Sequence, residues 1–135
     1  MTAAYEIPSF YVGVLEANVD MSTESTWQFS GVDVAAATGA GLTGPAALVA
    51  PTTTGQTILG VLQNNPKLGE SGQVMAHGVS KARFGGSFNI GDLLMVTSNG
   101  DFIAATSGNY AVAKALQAGS SSIIGSIFLA NFGKV

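Results

Sequence analysis

The chain has 135 residues, of which 47% are hydrophobic and only 10% charged, with a formal net charge of −3, no cysteine and one histidine, His77. That length suits one domain, and the missing cysteines exclude a disulfide framework, a thiolate nucleophile and a Cys-ligated metal, while one histidine cannot build a multi-histidine site. Five basic residues against eight acidic ones leave little to neutralise a phosphate backbone, so nucleic acid is not an expected partner, and a charged share far below the usual ~25% points to a surface covered by copies of the chain or by another protein.

Residues 1 to 19 hold Tyr5, Ile7, Phe10, Tyr11, Val12, Val14 and Leu15, an apolar density unusual in a terminus, where chains are normally loose and polar. No basic stretch opens the sequence, and Ser, Gly and Asn interrupt every apolar run well short of the ~18 residues of a membrane span. Neither a secretory signal nor a membrane segment is expected, and the chain reads as soluble and unprocessed. The segment is either a first strand or an extended arm whose Tyr5, Ile7, Phe10, Tyr11 and Leu15 dock on the partner. Pro8 cannot donate to a ladder, so pairing is expected to begin after it, around residues 9 to 15. The arm reading divides the chain into an N-terminal arm, residues 1–19, and a single β-domain, residues 20–135.

Thr26 to Val32 reads as a strand. Residues 39 to 55 carry too much Gly and Pro for a core strand, although Ala46 to Ala50 fits a short edge strand. Within them Gly39-Ala40-Gly41-Leu42-Thr43-Gly44 spells G-x-G-x-x-G. It lacks the preceding strand and following helix that would aim a helix N-terminus at pyrophosphate, and Pro45 follows directly, so no dinucleotide site is expected. Thr57 to Gln63 and Gln73 to Phe84 read as strands, the second carrying His77 as a structural residue and Lys81 as an exposed strand residue, not the modifiable lysine of a carrier domain.

Leu93 to Thr97 and Asp101 to Ala105 form the clearest hairpin, joined at Asn99-Gly100, a pair that suits a type I′ turn. Asp92 and Asp101 flank it, but two carboxylates are too few for a Ca²⁺ site. Tyr110 to Gln117 is composed of helix formers, yet bulky residues at 110, 112, 114 and 116 alternate strictly with alanines, the period of a strand. Ser122 to Ala130 is apolar on both faces around Gly125 and is expected in the middle of a sheet. Charge is divided along the chain: residues 1–66 carry five acidic and no basic residues, and residues 67–135 five basic and three acidic ones. Such polarity can steer one copy against another.

Short strands separated by many of the 18 glycines predict an all-β fold, a small glycine-rich β-sandwich or barrel with an extended N-terminal arm. No nucleophile beside a base and no carboxylate pair in a cleft is evident, so no catalytic residue, cofactor or metal is expected and the chain is not read as an enzyme.

Gly60-Val61-Leu62-Gln63-Asn64-Asn65-Pro66, followed by Gly69-Glu70-Ser71-Gly72-Gln73-Val74, Gly78-Val79-Ser80-Lys81 and Gly91-Asp92-Leu93-Leu94, resembles the capsid decoration (cement) proteins of tailed bacteriophages. The likeness continues through Ala113 to Ala118 and Ile123 to Leu129, and upstream to Asp20-Met21-Ser22 and Trp27-Gln28-Phe29, covering about residues 20 to 130. Two features depart from the family pattern: the longer Gly39 to Gly55 loop, and His77 where a small or polar residue is expected. The resemblance implies a β-rich domain that assembles as a homotrimer on the outer surface of the virion head. There it would bridge major capsid protein subunits and stabilise the shell, with no small-molecule substrate, nucleic-acid or membrane partner. The alternative is another phage structural β-domain, tail- or fibre-associated, followed by a carrier or sugar-binding module.

Overall fold

The computed structural model describes residues 10–23 and 26–135. These form nine strands: β1 (Phe10–Ala17), β2 (Gly31–Ala36), β3 (Ala46–Val49), β4 (Gly60–Leu62), β5 (Ser71–Arg83), β6 (Leu93–Val96), β7 (Phe102–Ala104), β8 (Tyr110–Ala115) and β9 (Ile124–Lys134). Among the described residues every regular element is a strand, as the glycine spacing and period-2 patterns predict.

The strands pair in the order β1-β3-β2-β4-β5-β9-β8-β6-β7, with β1 also on β5. That additional pairing closes a first ring, β1-β3-β2-β4-β5. Its seam is parallel where β1 meets β3 (Glu16↔Ala47) and antiparallel where β1 meets β5 (Tyr11↔Met75, Glu16↔Ser71). The second half of β5 pairs with β9 (Val79↔Phe128, Arg83↔Ile124), and a parallel bridge from Phe84 to Phe102, with Gly85 N–H on the Phe102 carbonyl at 2.8 Å, returns the sheet from β7 to the end of β5. A second ring, β5-β9-β8-β6-β7, is thus closed as well. Closure removes the exposed edges that an open sheet of this size would present.

Each ring encloses its own core. Ala17, Met21, Val32, Leu48, Leu62 and Val74 fill the first, and Phe84, Phe88, Leu94, Phe102 and Ile127 lead the second. Val61 and Met75 belong to the second cluster although their neighbours Leu62 and Val74 belong to the first. Successive strand residues point to opposite faces, so the β4–β5 pair is a wall shared by both cores.

Several expectations are corrected. The strand expected over Thr26 to Val32 begins only at Gly31, because Trp27 and Ser30 N–H groups close turns on Thr23 and Trp27 and Phe29 has φ of 66°, which breaks an extended path. Ala46–Val49 is no edge strand: β1 covers one side and β2 the other. The hairpin turn is not type I′. Gly100 N–H closes on the Thr97 carbonyl and Thr97 N–H on that of Asp101, and of the central pair only Gly100, at φ 85°, is left-handed. This is a three-residue loop ending in a glycine bulge. The last strand runs four residues beyond Ala130 because β8 continues to pair with it as far as Tyr110↔Lys134. It is interior, between β5 and β8, as expected.

Candidate functional site

The residues singled out in the sequence are dispersed over the fold. His77 is an exposed residue of β5 and packs edge-on against the Phe128 ring, centroids 5.4 Å apart. Lys81 is exposed on the same strand, its Nζ 5.6 Å from the centre of the Phe29 ring. Asp92 closes its own turn by accepting the Asn89 N–H at 2.8 Å. Asp101 stands with Arg83, Thr26, Asn99 and Ser122 around an open hollow, where burial raises its carboxyl above the usual range against the opposing pull of Arg83. Among the described residues no group of three His, Asp or Glu could hold a metal ion.

The glycine-rich string of residues 39 to 44 is occupied by the protein itself. Glu16 Oε1 accepts Thr43 N–H at 2.9 Å, Thr43 Oγ1 at 3.1 Å and Gly44 N–H at 3.2 Å, and these backbone bonds hold its pKa below the usual value. Asn18 Oδ1 takes the N–H groups of Thr38 and Gly39. A carboxylate of β1 fills the anion cradle, so the loop is a brace for the first ring. The Gln63-Asn64 pair is likewise architectural. Gln63 Nε2 reaches Val61 O and Ser80 Oγ, both at 3.0 Å; Asn64 accepts Gln73 N–H and donates to Ser71 O, closing the β4–β5 connection.

Of the segment expected as an arm, Phe10–Ala17 is β1, hydrogen-bonded to β5 and β3 of its own chain, with Ala17 buried and Val12 and Leu15 packed on the first core. Among the described residues its ladder to β5 runs from Phe10↔His77 to Glu16↔Ser71, within the same chain. Tyr5 and Ile7 lie outside the described residues, and of Phe10 and Tyr11 the structure gives the backbone register.

What sequence reasoning missed is a face. On β5, β9 and β8 one set of alternate residues enters the second core and the other points outward. Val79 (54% exposed), Ile124 (44%) and Leu116 (44%) are bare, Phe128 is half-buried, and Lys81 and Lys114 stand among them. The register aligns Val79, Phe128 and Lys114 in one row across the three strands, and Lys81 with Ser126 in the next, where Leu116 N–H bonds the Ser126 carbonyl at 3.1 Å. None of the three strands contains an acidic residue. The signal was present as the alternation of residues 110 to 117, but it did not say which set faces inward: Ala111, Ala113 and Ala115 are buried, and Val112 joins them where the register against β9 shifts.

The fold resembles that of a phage head fibre base. The crystal structure of the head fibre gp8.5 N base of bacteriophage phi29 matches with a TM-score of 0.65 over 95% of this chain and 97% of that chain, at 11% sequence identity. The likeness is one of fold and spans nearly the whole of both chains. No protein-family model matches this sequence, and no curated protein matches it.

Proposed function

We propose that this chain is a non-enzymatic structural protein of a phage head, held on the outer surface of the shell as a decoration protein that bridges major capsid protein subunits. The observation that carries the reading is the end-to-end likeness to the base of a phage head fibre. Low charge and a fold whose loops are braced by its own side chains accord with a protein that works by burying surface. Tyr5 and Ile7, with Phe10 and Tyr11 at the start of β1, are the proposed lattice contacts; Leu15 is half-buried against the first core.

A second reading, the base of a head-attached fibre, is favoured by the stated identity of the same neighbour. The two separate in one experiment. Purified protein is added to heads that lack it, and the heads are imaged by cryo-electron microscopy and challenged by heat. Density repeated over the lattice together with heads that withstand higher temperature supports decoration. Density at sparse positions with unchanged head stability supports a fibre base. Heads that neither bind nor change would overturn both.

A further inference from the structure

We infer that the outward face of β5, β9 and β8 is a self-assembly surface that receives the opposite end of a second copy of this chain. The face combines exposed Val79, Ile124 and Leu116 with Lys81 and Lys114, and its three strands carry no carboxylate. A bare apolar patch ringed by one sign of charge fits an apolar surface of the other sign.

The chain itself supplies one. At the far end of β5, the segment after β1 runs beside the segment before β5, with Ala17 N–H on Glu70 O, Gly69 N–H on Ala17 O and Met21 N–H on Pro66 O. This brings together exposed Val19 (46%) and Leu68 (43%) with exposed Asp20 and Glu70. Among the described residues between 10 and 70, Glu16, Asp20, Asp33 and Glu70 stand against Lys67 alone, and the next basic residues, Lys81 and Arg83, lie at the other end of β5. Hydrogen bonds from Ser22 keep Asp20 ionised below its ordinary pKa.

The two patches cannot meet within one molecule. β5 runs from Ser71, beside Glu70, to Arg83, and a rise of about 3.3 Å per residue puts Lys81 roughly 30 Å from the acidic end. Complementary patches at opposite ends of a rigid body join head to tail, and such a contact repeats into a closed ring or an open filament. This assigns a surface to the oligomer that low charge alone only foreshadows. It needs no phage head, so its test stands apart from that of the proposed function.

The test is sedimentation velocity of the full chain at low and at near-physiological salt, with folding monitored by circular dichroism. Four samples are compared: wild type, Lys81→Glu/Lys114→Glu, Val19→Lys/Leu68→Lys, and an equimolar mixture of the two variants. Wild type is expected to associate, more strongly at low salt. Each variant alone should associate at least about tenfold more weakly, and the mixture, in which the acidic face of one variant meets the basic end of the other, should recover, in full where the two alternate and in part in an odd-membered ring. Should the lysine reversal disturb folding, Val79→Glu serves in its place. A wild type that stays monomeric throughout, a folded reversal variant that assembles as wild type does, or a mixture that fails to recover would each overturn the proposal.

Discussion

Glu16 and Gly60 show how single residues commit this chain to its rings. Glu16 gathers the Thr43 and Gly44 amides where a helix N-terminus would otherwise be needed, which is why a phosphate-loop spelling folds as a structural loop. Gly60 lies where β4 crosses β5, and a Cβ there would collide with the Met75 carbonyl oxygen and lie 2.8 Å from its carbon. The Met75 backbone cannot yield, and the Val74 Cγ1 at 2.8 Å crowds the same point, so Gly60→Ala is expected to destabilise by about 3 kcal/mol, measured by urea unfolding. Asp101 titrates with the opposite sign to Glu16. Burial raises its folded-state pKa above the unfolded value of 3.8, so the native state holds the proton more tightly and stability declines as pH rises from the unfolded pKa through the folded one. Asp101→Asn removes that decline. Its stability relative to wild type should therefore be higher at pH 6 than at pH 3, and a difference independent of pH would contradict the assignment.

Among the elements, β1 and the β6–β7 hairpin each close a ring. β1 joins β3 to β5 and places Ala17, Val12 and Leu15 on the first core, so its loss would open two strand edges and uncover that core. Deleting residues 2–9 is expected to leave a cooperative thermal transition, whereas deleting residues 2–17 should abolish it, both read by circular dichroism. A 2–17 deletion that unfolds as sharply as wild type would show that the first ring holds without its seam. The hairpin is anchored through its turn, where the Gly31 N–H donates to the Gly100 carbonyl at 2.8 Å. A Cβ on Gly100 would lie 2.8 Å from the Gly31 oxygen, at a φ of 85°. Gly100→Val combines a left-handed β-branched residue with that collision and should cost about 1–3 kcal/mol in a thermal or urea melt.

At the level of the whole molecule, two cores share the β4–β5 wall, and Trp27 and Phe29 extend the connection, packing on the first and second clusters respectively. Neither ring keeps its core when the wall is lost, so both should unfold together. Trp27, the sole tryptophan, reports the first ring, while far-ultraviolet circular dichroism reports both. Their urea midpoints are expected to coincide; separated midpoints would mean that the rings unfold as independent units.

Local chemistry was legible in the order of residues. Asn99-Gly100 marked a reversal, alternation at residues 110 to 117 overruled helix propensity, and scarce charge with no catalytic grouping directed attention to surfaces. These depend on neighbours within a few positions, where steric limits on φ and the two-residue strand period act directly. Other features required partners distant in the chain. Phe10 meets His77 and Phe84 meets Phe102, and no local pattern encodes which of several apolar strands will close a ring. The inward face of β8 was decided in the same way. Ala111, Val112, Ala113 and Ala115 are buried while Tyr110, Lys114 and Leu116 face out: the register against β9 shifts between Ala111 and Ala113, and Val112 joins the alanines in a close-packed second core led by Phe84, Phe88 and Phe102.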